Sequence, residues 1–189
     1  MSLKTRLRAE ALVRRDLIAG AVRVAAAHAA AAWARPILTA IPEKIVAGYW
    51  PIRSEADPRP LLEVAAAGGA ALALPVTTAD GLVFRAWRPE DALVPAGFGT
   101  FGPSAGAPSV QPDILVMPLA AFDRRLNRIG YGQGHYDRAI AAMRRRHASP
   151  LLLGLAFAAQ EVEEVPFEPH DIPLDFIVTE EALIAADRA

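Results

Sequence analysis

Between Arg128 and Arg138 the chain reads RIGYGQGHYDR. Gly130, Gly132 and Gly134 alternate with Tyr131, Gln133 and His135, Tyr136 and Asp137 follow, and an arginine closes each end. Alternate glycines strip side chains from a loop, admit positive φ, and let backbone N–H groups converge on an anion. A helix starting near Tyr136 adds the partial positive charge of its N-terminus. Arg128 and Arg138 add full charges with forked donors. Phosphate is a natural guest. Asp137 would repel it unless a divalent cation lies between them, and Mg²⁺ typically binds through one or two carboxylates plus phosphate oxygens. The same residues also suit a plain strand-to-helix turn in which Asp137 only caps the helix. The stretch is not a P-loop, because nothing matches G-x-x-x-x-G-K-[ST]. It is not the dinucleotide fingerprint either, because the position three after Gly132 is His135.

The elements around this loop must hold it at a strand end. Ser2 can cap a helix of good helix formers running toward Trp33, with Pro36 and Pro42 ending the segment. KIVAGYWPI (44–52) reads as a strand stopped by Pro51. Asp57 and Pro58 open a helix that Gly68 and Gly69 close. AALALPVT and LVFRAW read as strands about a turn at Asp80–Gly81, and 88–112 as a long irregular connection. DILVMPLAAF (113–122) is a strongly apolar buried strand that leads into the loop, and YDRAIAAMRRRHA is the helix after it. PLLLGLAF and DFIVTE read as further strands, AQEVEEVP as a short helical piece, and Glu180 onward as a terminal helix. Near-continuous apolar strands alternating with helices predict α/β architecture: one three-layer α/β/α domain over 1–189 with a mostly parallel, Rossmann-like sheet. In such sheets ligands sit beyond the carboxyl ends of the strands, where the loop lies.

Bulk properties narrow the function. Hydrophobic residues make up 53% of the 189 and charged residues 22%, a globular balance. With 20 basic and 21 acidic side chains the net charge is -1, which gives no electrostatic reason to expect nucleic acid. The absence of cysteine excludes a disulfide scaffold and any thiolate ligand or nucleophile. Arginine is so common, with only Lys4 and Lys44 as lysines, that a single arginine carries little weight. No run of about twenty apolar residues suggests a membrane span. RRDLIAGAVRVAAAHAAAA mimics an export signal, but Arg23 and His28 interrupt it, so an ordinary helix is expected.

The stretch DILVMPLAAFDRRLNRIGYGQGHYDR resembles the signature of the 5-formyltetrahydrofolate cyclo-ligase (5,10-methenyltetrahydrofolate synthetase) family. That pattern is an apolar strand with a Pro-containing end, Phe-Asp, a variable stretch, then R-[LI]-G-x-G-x-G-x-Y-D. KTRLR near the start, YWPIRSEAD after the first strand and HDIPLDFIVTE near the end are similar to three further family segments, in the family's order. The resemblance implies an enzyme that uses ATP and Mg²⁺ to cyclise 5-formyltetrahydrofolate, a cytoplasmic location and a monomer, with neither nucleic acid nor membrane as partner. It implies that Lys4, Arg8 and the loop from Arg128, through Gly130, Tyr131, Gly132, Gln133, Gly134 and His135, to Tyr136 contact ATP. Trp50, Glu55 and Tyr131 to His135 would contact folate, Asp137 and Asp175 would ligate Mg²⁺, and Arg128 and Tyr136 would act in catalysis. Two positions depart from the pattern: His135 stands where Tyr is usual, and Gly102 where a Glu precedes Pro103. Trp87 and Phe101 join Trp50 as candidates for pterin stacking or for plain core packing. Read without the resemblance, the scaffold also fits a non-catalytic nucleotide- or folate-binding protein, or an ATP-dependent enzyme acting on another substrate.

Overall fold

The computed structural model describes residues 2–40, 43–79, 81–97, 99–168 and 171–186, so Pro42, Asp80, Phe98 and His170 lie outside the described residues. Helix α1 (Leu3–Asp16) is capped by Ser2, whose side chain accepts from the Thr5 N–H. The single long helix expected toward Trp33 is instead two: α1 and α2 (Gly20–Leu38) meet at 106°. No proline marks the break. Burial decides it, because Ala11 of α1 packs on Ala121, Ile129 and Val165 and Arg15 reaches Tyr131, while Ile18 turns inward to the core beneath α2. Pro36 does not end α2, which runs on to bury Leu38. The interior proline costs one helical hydrogen bond in the last turn, and that burial offsets it. Ala26, Ala30 and Ala34, four apart, form a narrow buried face, so α2 packs closely on α3 (Arg59–Ala67).

Strands β1 (Ile45–Ala47), β2 (Ala71–Thr78), β3 (Gly81–Trp87), β6 (Ile114–Pro118), β9 (Leu151–Leu155), β10 (Phe176–Val178) and β11 (Leu183–Ala185) form one sheet in the order 11-10-9-6-1-2-3. All inner pairs are parallel and both edge pairs are antiparallel. Along β6, Ile114 and Val116 face the α2–α3 side, and Leu115 and Met117 face the side of α4 (His135–Arg145), which gives the three layers. The last segment is β11, not the expected terminal helix. Pairing with β10 and burial of Ile184 outweigh helix propensity there. AQEVEEVP supplies only the 3₁₀ turn Ala158–Gln160, after which Val162 donates to Phe122. Within 88–112 sits a small hairpin of β4 (Val94–Pro95) and β5 (Phe101–Gly102). Among the described residues no single helix is long and apolar enough to cross a membrane.

Candidate functional site

After β6 the chain makes a second hairpin, β7 (Ala121–Phe122) with β8 (Arg128–Ile129). Asp123 anchors it. This fully buried carboxylate accepts from the Arg125 and Asn127 N–H groups, the Asn127 side-chain amide and the Val165 N–H, at 2.9–3.1 Å. The hairpin delivers Arg128 and the glycine loop to the carboxyl ends of β1, β2 and β6. There a cavity of about 900 Å³ opens. It is lined by Lys4, Arg8, Trp50, Glu55, every residue from Arg128 to Arg138, and Asp171.

The loop glycines are not equivalent. Gly132 (φ +92°) and Gly134 (φ +61°) hold left-handed backbone that favours glycine. Gly130 has no positive φ, and an added Cβ would meet nothing within 4 Å. Gly134 is also the residue before the first turn of α4 and has no side chain to block its N-terminus. Arg8 crosses from α1, donates from Nε to Gly130 O at 2.7 Å, and lays its guanidinium beside Gly132. Arg128 is nearly buried. It donates to Ile172 O and to Asp137 Oδ1, the latter at 2.5 Å. Lys4 reaches Asp171 at 2.6 Å and Glu168 at 3.5 Å. Nδ1 of His135 lies 3.3 Å from a terminal nitrogen of Arg138. One end of the cavity is therefore cationic, with carboxylates interleaved.

The other end is aromatic and carboxylic. Glu55 is 9% exposed and accepts from the Ile52 N–H. Burial pushes its carboxyl above the usual range; the Ile52 N–H, the Tyr131 hydroxyl, Arg15 and Arg53 pull it back only in part. Burial, with the Glu55 charge second, also raises the phenols of Tyr49, Tyr131 and Tyr136. Trp50 sits edge-on to Trp87 at 6.2 Å, and Arg59 lies over its ring at 5.2 Å. Trp87 is buried in the core against Leu72, whereas the Phe101 side chain is exposed.

All residues expected to contact ATP, folate or Mg²⁺ but one meet in this cavity, and of the three stacking candidates only Trp50 lines it. Asp175 does not line it. Asp175 stands immediately before β10, where its Oδ2 accepts from the Leu152 N–H at 2.7 Å. That is the start of a parallel strand, the opposite edge from the carboxyl end of β6. The carboxylate from this segment that does reach the cavity is Asp171, four residues earlier. Sequence reasoning passed over Asp171, although it stands in the quoted HDIPLD, and over Arg15, hidden in an arginine-rich helix. Among the described residues no three His, Asp or Glu side chains are grouped to hold a metal unaided.

Residues 1–180 match the model of the 5-formyltetrahydrofolate cyclo-ligase family. The chain is 34% identical to 5-formyltetrahydrofolate cyclo-ligase of Escherichia coli strain K12 over 141 residues, covering 71% of this chain and 76% of that one. It is 30% identical to 5-formyltetrahydrofolate cyclo-ligase of Mycolicibacterium smegmatis over 98% of this chain and 97% of that one. The solution structure of Aquifex aeolicus 5,10-methenyltetrahydrofolate synthetase superposes with a TM-score of 0.78 at 27% identity, covering 100% of this chain and 95% of that one. A Mycoplasma pneumoniae 5,10-methenyltetrahydrofolate synthetase shares the fold, with a TM-score of 0.74 at 21% identity over 95% and 99% of the two chains.

Proposed function

The chain belongs to the 5-formyltetrahydrofolate cyclo-ligase family, and from that premise we propose that it converts 5-formyltetrahydrofolate and ATP to 5,10-methenyltetrahydrofolate, ADP and phosphate. The carrying observation is one cavity with a cationic end at Lys4, Arg8 and Arg128 and an aromatic, carboxylic end at Trp50, Glu55 and Tyr131. A nucleotide and a pterin need such a pair of ends within reach of each other. A formyl carbon on an amide-like nitrogen is a poor electrophile until its oxygen becomes a leaving group. In the proposed sequence that oxygen attacks the γ-phosphorus and the bond to ADP breaks. N10 of the folate then attacks the activated carbon and gives up its proton to the departing phosphate, which leaves with the oxygen as the five-membered ring closes. Positioning and charge neutralisation supply most of the help in such a transfer.

Lys4, Arg8 and the backbone N–H groups at Gly130, Gly132 and Gly134 would hold the nucleotide phosphates, Arg128 would meet charge on the transferred group, and the Tyr131 side chain would point to the folate end. Tyr136, its phenol held neutral by burial, would donate a hydrogen bond rather than take a proton. Glu55, with Trp50, would orient the pterin. Asp137 and Asp171 would hold Mg²⁺ in company with phosphate oxygens. That donor set suits the ion, because Mg²⁺ commonly takes one or two carboxylates and completes its shell from phosphate and water. The bound ion would supply charge neutralisation between phosphate and carboxylates. The test is Mg²⁺- and ATP-dependent growth of methenyltetrahydrofolate absorbance from 5-formyltetrahydrofolate. Nucleotide and folate binding without that absorbance would overturn the reading. Arg128→Ala is expected to raise KM for ATP more than KM for folate; an equal rise would move Arg128 to the folate end.

A further inference from the structure

Arg14 and Arg15 end α1 side by side and live differently. The Arg14 side chain donates to the Ala159 and Glu161 carbonyls at the surface. Arg15 is 3% exposed. Its Nε donates to Ser54 Oγ at 3.0 Å, and a terminal nitrogen donates to the Tyr131 hydroxyl at 2.5 Å. Its guanidinium carbon lies 5.8 Å from the centre of the Tyr131 ring. The nearest carboxylate, Asp16 at 3.9 Å, is itself mostly exposed and accepts the Ser54 hydroxyl. A buried guanidinium is costly unless its donors are met. Here they are met by a turn and a loop, not by a matched carboxylate, so one cation ties α1 to Ser54 and to the glycine loop.

Tyr131 is the residue that needs such a tie. Glycines flank it on both sides, Gly132 in left-handed backbone, and the side chain is 39% exposed. Its hydroxyl end, between Arg15 and Glu55, is what holds the ring. We propose that Arg15 is the positioning residue for the folate end of the cavity, holding the Tyr131 hydroxyl against Glu55. This rests on the folate reading of Glu55 and Tyr131. The nucleotide end is held by Lys4, Arg8 and Arg128 through other partners. Loss of Arg15 acts through the Tyr131 side chain and is therefore felt more by folate than by ATP. A second signature is pH. The groups facing Glu55 are Arg15, Arg53, Tyr131, Tyr49 and Tyr136, and the two arginines lower its carboxyl. Without Arg15 that carboxyl titrates at higher pH.

Steady-state kinetics of Arg15→Lys, Arg15→Met, Tyr131→Phe and the double variant Arg15→Lys/Tyr131→Phe test this, with thermal unfolding as the folding control. Each single change should raise KM for 5-formyltetrahydrofolate about tenfold, the loss of one charge-assisted hydrogen bond, and leave KM for ATP within about twofold. The double variant should be no worse than the worse single one, because both remove the same contact. The pH limb of kcat/KM for folate should move up in Arg15→Met. Multiplied effects in the double variant, an equal rise for ATP, or an unmoved pH limb in folded protein would each overturn the proposal. Should Arg15→Met not fold, the lysine cycle decides. A wild-type chain that forms no methenyl product fails the functional reading instead, and folate-binding titrations on the same variants then decide for Arg15 alone.

Discussion

Asp123 sets where Arg128 stands, and its replacement gives a sharp test of that dependence. The carboxylate has no exposure and accepts four hydrogen bonds, two at each oxygen. Three of the donors are backbone N–H groups, two in the hairpin and one at Val165. Asp123→Ala strands them all. At about 1–1.5 kcal/mol net for each hydrogen bond, the loss is roughly 4–6 kcal/mol, a large part of the 5–15 kcal/mol that holds a typical domain together. Asp123→Asn is the more informative change because its shape is the same. The amide oxygen can keep the Arg125 and Asn127 N–H groups, but its NH₂ then faces the Val165 N–H, donor against donor, while the Asn127 amide must flip to accept from it. That costs about 2–3 kcal/mol. Urea unfolding should show the midpoint falling by about 1 M for Asn and about 2 M for Ala, for a slope near 2 kcal/mol/M. Activity measured well below either midpoint should fall too, because Arg128 and the glycine loop hang from this hairpin. An Asp123→Asn protein with wild-type midpoint and wild-type KM for ATP would refute the reasoning.

Glu55 carries a pH signature. Its raised carboxyl keeps a proton in the folded protein where the unfolded chain has lost it, so wild-type stability falls as pH rises from the ordinary carboxyl value to the raised one. Glu55→Gln does not titrate, so its stability relative to wild type should climb across that window and then level off in urea unfolding between about pH 4 and 8; a pH-independent difference contradicts the burial argument. Asp137→Asn and Asp171→Asn should each raise the Mg²⁺ concentration needed for half-maximal turnover, whereas Asp175→Asn should leave it unchanged and lower stability by about 1 kcal/mol as the Leu152 N–H loses its carboxylate. An increased Mg²⁺ requirement in Asp175→Asn alone would reverse that assignment. Gly134→Ala must hold φ near +61° with its Cβ 3.0 Å from an Arg138 nitrogen, which should cost about 1–2 kcal/mol and raise KM for ATP. Gly130→Ala meets no protein atom and should leave stability unchanged, so equal losses of stability in the two variants would show that space and φ do not govern this loop.

What the sequence made legible follows from where burial and local pattern agree. The inner strands β6 and β9 sit under helices on both faces, so they read as continuous apolar runs; the strand expected over 113–122 ends at Pro118, and the β7–β8 hairpin, not β6, leads into the glycine loop. Agreement fails at the edges. LIA at 183–185 has no pattern that separates a strand from a helix turn, and only its neighbour β10 decides. The corner between α1 and α2 is likewise tertiary, since alanine and leucine favour helix straight through it. Arg15 was hidden for a different reason: in a chain where nearly every cation is arginine, residue type says little, and its burial becomes visible only when Ser54 and Tyr131 arrive from elsewhere in the chain.

The two aspartates of HDIPLD show the same limit at the resolution of a single residue. Both are carboxylates four positions apart, ahead of an apolar strand, and either could serve a cation. Of the two, only Asp171 lines the cavity. Asp175 exchanges hydrogen bonds with Leu152 through its backbone N–H and its carboxylate, which fixes it at the mouth of β10. Pro173 lies between the two and favours extended chain, so four residues span up to about 13–14 Å. Asp171 is carried back along the sheet face to the cavity and to Lys4. The choice between them therefore depends on where β10 begins. Only the register of β10 against β9, with Phe176 opposite Leu153, determines that.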